Sequence, residues 1–454
     1  TIGLREMGVR ALVKAIRDSG DLKPDALYIG NLLSSMISHQ SNLGALFTDY
    51  GHLDGVEAYT TEAAGASGAA ALHQAYMAIR SGFADTVAVL GVEKWSDLVR
   101  AEAEAAIMQE MDYDYESIPG LTSTGQAGLI MQRYLYEHDL PSDALNGFAM
   151  LAHTNGRNNP YGLFKNLISS ESYARTSMLS DPFNMYDGAT YADGAAALIL
   201  TRRELLPDGF SHPIISVTGS AASSDSLSWH DRHEPMAFTA AARAVSEAAR
   251  QAGTLPGRVS LFELDDSFSI YAALTLEACG LADRGKAWQM ARDGDFAING
   301  RLPIMTMGGC LARGNPIGAK GVYQVVEAVT QLRGAAGANQ VLNARTALTL
   351  ALGGPASTAI AHVLDEHPRR APDIEKALRG KAPGGEIVDP GHGIGLARVH
   401  HGEASDGRVI AVVERPDGGR EHLPRAVAPR RLDSGPAAVA NLEVGGAVEP
   451  EADA

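Results

Sequence analysis

Thr61-Glu-Ala-Ala-Gly-Ala-Ser-Gly68, continuing as Ala69-Ala-Ala-Leu-His-Gln-Ala-Tyr-Met-Ala-Ile79, reads as a strand, a glycine turn and a helix lined with small residues. Such an elbow points one side chain into the space above a sheet and leaves backbone N–H groups at a helix N-terminus. A cysteine there would have its pKa lowered by the helix dipole and become a good nucleophile. The residue is Gly65, which has no side chain to attack anything. On the residues alone, Gly65 marks a tight turn where only glycine fits.

Upstream, Leu4–Ser19 carries apolar positions at spacings of three and four, which predicts an amphipathic helix, and Ala26–Gly30 is a short strand. Downstream, Thr86–Gly91 is wholly apolar and ends in glycine, the pattern of a buried parallel strand. Residues 95–180 are rich in Met, Tyr, Asn and Ser and read as an excursion from the core, a lid or binding loop. The core resumes at Asp193–Leu200, and a second βα half follows from about 212 to 365. That half holds the strand Val259–Leu264, the glycine-rich loop Gly308–Gly321, and a closing hairpin of Thr346–Leu352 and Thr358–Val363. The expected domains are 1–205, 206–365 and an appended β-rich module, 366–454, with a disordered acidic tail. Within the module Arg408–Val412 and Glu421–Leu423 read as a small hairpin about Pro416–Gly419. Because Thr1 already lies in a helical pattern, a preceding strand is expected inside the sheet.

Composition narrows the function classes. The 454 residues are long enough for two or three domains, and 45% apolar content describes a globular chain. A net charge of −16 argues against nucleic acid or an anionic membrane as partner. The two cysteines, Cys279 and Cys310, stand in no metal-ligand or disulfide spacing, so no metal site is expected and a reducing cytoplasmic compartment is. No run reaches the ~18 apolar residues of a membrane span.

Several stretches in series resemble the sterol-carrier-type thiolases. Thr61–Gly68 through Val89-Leu-Gly-Val-Glu-Lys94 is similar to their active-cysteine region. Asp187-Gly-Ala-Thr-Tyr-Ala-Asp-Gly-Ala-Ala-Ala197 resembles the strand returning from their loop domain, and Glu263-Leu-Asp-Asp-Ser-Phe268 resembles their His-Asp-x-Phe motif. Gly308-Gly-Cys-Leu-Ala-Arg-Gly-Asn-Pro-Ile-Gly-Ala-Lys-Gly321 looks like their Gly-His-Pro loop, and Gln331–Gly337 and the closing hairpin also match. The resemblance covers residues 1–365 and implies a thiolase-like α/β fold of two similar βαβαβ halves with buried helices between sheets. It also implies acyl-CoA as ligand, with coenzyme A as part of the substrate and no separate cofactor. A homodimer and a small OB-fold, zinc-ribbon partner protein are further implications.

The departures fall on the family's chemistry. The elbow cysteine is Gly65, the loop histidine is Asn315, the Cys-x-Gly-Gly position is Ala351, and the His of His-Asp-x-Phe is Asp265. Without a thiolate there is no acyl-enzyme route, so cysteine-dependent thiolysis is not expected. N–H groups around Gly353 and Gly354, with the Asn315 amide, remain suited to a thioester oxyanion. His153 and Gly314 are implied ligand contacts in the loop domain and the glycine loop. Asp265, beside Asp266, is a candidate base, although successive residues of an extended chain face opposite ways. Cys310 is a candidate displaced nucleophile or a packing residue, and Tyr186 and Tyr191 lie near the core. His73 reads as a satisfied core residue, and His230 and His233 as surface groups. The expected function is a non-classical or silent acyl-CoA-handling subunit, with a retro-aldol acyl-CoA lyase using Asp265 as base the alternative.

Overall fold

The computed structural model describes residues 2–366, apart from 209 and 211, and the backbone of 395–397 and 406–412. The strands are β1 (Ala26–Gly30), β2 (Glu57–Thr61), β3 (Thr86–Glu93), β4 (Met178–Ser180), β5 (Phe183–Asn184) and β6 (Gly194–Thr201). They continue as β7 (Ile215–Ser224), β8 (Leu261–Glu263), β9 (Thr346–Gly353), β10 (Thr358–Glu366), β11 (Gly395–Ala397) and β12 (Asp406–Val412). All but β4 and β5 join one sheet in the order β2-β1-β3-β6-β12-β11-β7-β10-β9-β8.

The two expected halves are legible in the pairing. In the first, β1 runs parallel to β2 and β3, and β6 is antiparallel to β3. In the second, β8 is parallel to β9, and β10 is antiparallel to β9 and β7. The position that β7 takes beside β10 is taken beside β6 by β12, which runs parallel to β6. The strand expected over 408–412 therefore exists but belongs to the main sheet, which corrects its assignment to a separate module. Its expected hairpin partner, 421–423, and the acidic tail lie outside the described residues.

Two helices, Ser67–Ser81 and Lys320–Leu332, pack against both halves of the sheet. Their side chains share one apolar cluster with β1, β3, β6, β7, β8, β9 and β10, including Leu72, Ile79, Val322, Val326 and Val329. The amphipathic helix Leu4–Asp18 buries Leu4, Met7, Ala11, Leu12 and Ala15 on the outer side of the first half. Helix Thr239–Gln251 covers β7 and β10 with an alanine stripe. No described helix is long and apolar enough to cross a membrane.

The central helices meet backbone to backbone. A Cβ on Gly321 would lie 2.4 Å from Ala69 N, and one on Gly68 would lie 2.9 Å from Gly318 O. A Cβ on Gly30 would lie 2.3 Å from Gly68 Cα. Small residues here are a steric requirement.

Residues 95–180 are mostly helical, which differs from the expected loop. Helices Arg100–Ile107, Ser123–Glu137 and Asn146–Gly156 form the excursion, and Ile130, Tyr134 and Phe148 join the largest core cluster beside Phe262 and Phe296. Tyr134 also donates to Glu277 across 2.6 Å. Burial overrides the loop-like composition.

Gly321→Ala should destabilise the fold by about 3 kcal/mol, because the clash is with backbone. Gly257→Ala, whose Cβ would meet only Leu281 Cδ2 at 3.9 Å, should stay within about 0.5 kcal/mol of the parent. Denaturant unfolding of both variants checks this, and equal stabilities would refute the close-approach argument.

Candidate active site

The helix pair brings the elbow and the glycine loop together. Ser67 Oγ accepts from Ala63 N–H at 2.9 Å and donates to Ala64 O at 2.6 Å, closing the turn. The left-handed residue of the turn is Ala64, at φ 49°. Gly65 is not at positive φ, which corrects the idea that the turn itself demands glycine there. What it supplies is room: a Cβ at residue 65 would stand 2.5 Å from Lys320 Nζ and 2.6 Å from Leu352 O.

Lys320 is the first residue of its helix and only 5% exposed. A cation at a helix N-terminus opposes the helix dipole, so it needs carboxylate partners. Its Nζ lies 2.7 Å from Asp265 Oδ2 and donates to Ser267 Oγ at 3.0 Å. Burial pulls the ammonium pKa down, but the charge of Asp265, with Glu110, more than offsets this and holds it above its usual range. It stays a cation.

Asp265 is completely buried. Besides Lys320, its Oδ2 accepts from Leu352 N–H at 2.9 Å. Its Oδ1 accepts from Ser267 N–H at 3.0 Å and Oγ–H at 2.7 Å. The four acceptor directions of a carboxylate are thereby filled. Asp265 is placed to hold Lys320 and Ser267, and no direction is left for a substrate proton. Asp266 faces away and accepts from Cys310 N–H at 2.6 Å and Leu311 N–H at 3.1 Å. No carboxylate dyad forms, as strand alternation anticipated.

Asn315 is in the cluster: its Nδ2 donates to Ser267 Oγ at 3.3 Å, and its Oδ1 accepts from Ile317 N–H at 2.9 Å. Its loop is tied down by Glu93, whose carboxylate accepts from Leu32, Leu33 and Gly318 N–H groups and from Asn31 Nδ2. Cys310 is buried, and burial followed by the Asp266 charge pushes its thiol well above the ordinary value. It packs and is not a nucleophile at neutral pH.

Glu110 reaches the same space from the excursion. It accepts from Ser123 Oγ at 3.0 Å. Burial raises its carboxyl pKa, opposed by the Lys320 charge. Gly354 is left-handed, at φ 54°, and its N–H helps to restrain the rise of the Glu110 pKa, while Gly353 packs where a Cβ would meet Ala63 O at 2.7 Å. Ala351 lies one residue before Leu352, in β9. Tyr191 packs against Trp95 in a tilted arrangement with centroids 4.4 Å apart, and its segment is joined to Asn315 by the Asn315 N–H to Thr190 O and Ala192 N–H to Asn315 O bonds. Its phenol is held protonated by burial and then by the charges of Glu110, Glu104 and Asp265.

A cavity of about 260 Å³ adjoins this cluster, lined by Trp95, Glu104, Leu179, Phe183, Tyr191 and Phe268 among others. Gly314 borders a different cavity with Arg313 and Tyr323. His153 is not brought to the site: it is buried, hydrogen-bonded to Asn166 O at 3.0 Å and stacked on Phe164. His73 pairs with Ser220 Oγ at 2.7 Å, away from this cluster. Lys320, Glu110 and Ser267 are site residues that the sequence reading misses. A lysine at the start of an otherwise apolar helix is the available signal for the first.

Residues 2–204 match the family model "Thiolase, N-terminal domain", and residues 221–366 match "Thiolase C-terminal domain-like". The acetyl-CoA acetyltransferase of Methanothermobacter thermautotrophicus is 33% identical over 366 residues, spanning 80% of this chain and 94% of that one. The chain belongs to the thiolase family. Its sterol-carrier-type character is borne out by the Gallus gallus sterol carrier protein 2, which is 27% identical across 64% of this thiolase-family chain and 55% of that protein. The fold is shared with the solved structure "Ltp2-ChsH2(DUF35) aldolase", at TM-score 0.69 and 22% identity, covering 81% of this chain and 94% of that one.

Gly65→Cys should cost about 2–3 kcal/mol by overpacking against Lys320 Nζ and Leu352 O. In a Lys320→Ala background the added cost of Gly65→Cys should fall by about 1 kcal/mol or more, a coupling that a double-mutant unfolding cycle measures. Additive effects would show that the two positions do not share one space.

Proposed function

We propose that this chain is a carbon–carbon lyase of 3-hydroxyacyl-CoA thioesters, working by retro-aldol cleavage without an acyl-enzyme. The observation that carries the reading is the Lys320 ammonium beside Gly65, where a nucleophile's side chain would otherwise project. A permanent cation in a buried site stabilises an oxyanion that develops on a bound substrate. Of the three Lys320 donors, Asp265 and Ser267 occupy two, leaving one for a thioester oxygen.

Glu110, with its raised pKa, takes the role first expected of Asp265. It removes the proton of the 3-hydroxyl as the bond between C2 and C3 breaks. The 3-hydroxyl oxygen becomes the carbonyl of the released aldehyde or ketone, and the electron pair passes into the thioester as an enolate held by Lys320. The same proton then returns to C2, giving the shortened acyl-CoA. Tyr191, protonated, is suited to donate a hydrogen bond to the departing carbonyl oxygen. Asp265 keeps Lys320 and Ser267 in position throughout.

Two associations complete the proposal. The chain forms a homodimer, as thiolase folds pair, and it takes a small OB-fold partner. The aldolase neighbour, Ltp2-ChsH2(DUF35), carries the names of two components, and that pairing supports a partner here. A second reading, a silent acyl-CoA-binding subunit, is favoured by one observation: the four acceptor directions of Asp265 are already filled from within the protein.

Mass spectrometry of CoA products separates these readings. The chain should cleave 3-hydroxyacyl-CoA without added CoA and should leave 3-ketoacyl-CoA intact with CoA present. Lys320→Met should lower kcat by about 10²–10³-fold and Glu110→Gln by about 10²–10⁴-fold, with CoA-thioester binding retained. Activity should rise with pH through the Glu110 pKa, because the ionised form is the base. That pKa lies above the ordinary glutamate value, so the acid limb should lie above it too and vanish in Glu110→Gln. Thiolysis of 3-ketoacyl-CoA would overturn the proposal, and binding with no product from either substrate would establish the silent subunit.

A further inference from the structure

A β-branched residue in the left-handed region is a backbone outlier that persists only where its surroundings hold it. Ile317, between Asn315 and Lys320 in the glycine loop, has φ 45°. Its side chain is buried in one apolar cluster with Leu33, Ile37, Ala106 and Ile107. Released from its surroundings, an isoleucine returns to negative φ, and the chain on either side of it turns as well. That chain carries the Asn315 carboxamide and the Lys320 ammonium.

Two side chains hold the outlier. On one side Asn315 Oδ1 accepts from Ile317 N–H at 2.9 Å. On the other Glu93, the last residue of β3 and fully buried, accepts from Gly318 N–H at 3.1 Å through Oε2. The same oxygen accepts from Leu32 N–H at 2.9 Å, and Oε1 accepts from Leu33 N–H at 3.1 Å and Asn31 Nδ2 at 2.9 Å. Asn31 is itself fixed, donating to Val92 O at 2.7 Å and accepting from Ser34 N–H at 3.0 Å. One carboxylate thus locks the loop to the end of β3 and to the segment after β1. The approach is so close that a Cβ on Gly318 would stand 2.7 Å from both Glu93 Oε2 and Leu32 N.

We infer that Glu93 is a positioning residue: by holding Gly318 N–H it keeps Ile317 left-handed and so aims the Asn315 carboxamide and the Lys320 ammonium at the reactive cluster. The lever is short. Lys320 follows Gly318 by two residues, and Ala319 N–H donates to Pro316 O at 2.8 Å in the turn between Asn315 and Lys320. The consequence for turnover rests on the proposed function, whereas the positioning does not. A displacement of about 1 Å in a group that must meet a transition state costs about 10²-fold in rate.

Glu93→Ala removes the acceptor of all four N–H groups, and three measurements on the full chain follow its effect. Hydrogen exchange over residues 314–320 should speed up about tenfold or more, with helix Thr239–Gln251 unchanged. The coupling between Gly65→Cys and Lys320→Ala should fall to about half or less, because the ammonium is no longer held against residue 65. For 3-hydroxyacyl-CoA, kcat should fall about 10²-fold with KM within about threefold of the parent. Leu12→Val, in the outer helix Leu4–Asp18, lowers stability without touching the loop and should produce none of these changes. Glu93→Gln keeps one oxygen for one of the two N–H pairs. It should give the same pattern in weaker form, and it carries the test if Glu93→Ala does not fold. Unchanged loop exchange and coupling, or exchange that rises equally along the whole chain, would overturn the inference. If exchange and coupling respond as expected but the parent cleaves no 3-hydroxyacyl-CoA, the positioning assignment stands and the lyase reading falls.

Discussion

The backbone contact between the two central helices constrains everything else. With Gly321 against Ala69 and Gly68 against Gly318, no side chain separates them, and both helices begin at the same place. The elbow and the glycine loop are the segments that lead into those starts, so they meet too. Two helix N-termini converging raise the local positive potential, and Lys320, the first residue of one of them, raises it further. Asp265 and Glu110 answer that potential from two other elements, one after β8 and one in the excursion. The result is a buried cation set between carboxylates where two helix N-termini meet.

Gly65 and Lys320 meet in one small volume. A side chain at 65 and the ammonium of 320 would compete for the same volume, with a Cβ only 2.5 Å from Nζ. With no side chain at 65, that volume is left to the ammonium. The Asp265 carboxylate cannot be read apart from that ammonium. It is saturated because it anchors the cation.

How far the molecule is legible in its sequence follows from the range of the interactions. Strands at 26–30 and 86–91, the helix from 4, the elbow and the glycine loop are local patterns, and the structure places them as their periodicity indicates. Opposite facing of Asp265 and Asp266 is also local, a consequence of extended geometry. Lys320 escapes notice because its partner is in another motif, and a glycine-rich loop directs attention to its glycines. Glu110 sits in a short turn of a segment whose Met- and Tyr-rich composition suggests a loop. Only packing of Ile130, Tyr134 and Phe148 into the core makes that segment helical and fixes its position. The 408–412 stretch is readable as a strand, but its neighbour in the sheet, β6, lies some two hundred residues away in sequence.

Stability alone does not account for the ion pair at the centre. A buried pair loses several kcal/mol of hydration per ion and is often no better for the fold than apolar residues of the same volume. The position also sets a lysine against a helix dipole, which adds to the cost. The protein nevertheless surrounds Asp265 with four donors and encloses Lys320 at 5% exposure. Such an arrangement is marginal in the empty site and becomes favourable when a further anion enters, because the cation then has a charge on each side. In the proposed reaction a thioester enolate is that kind of anion, formed only as the carbon–carbon bond breaks. Stabilisation that appears with the transition state and not with the ground state is what accelerates a reaction, and it is the role for which a buried, fully braced ammonium is suited.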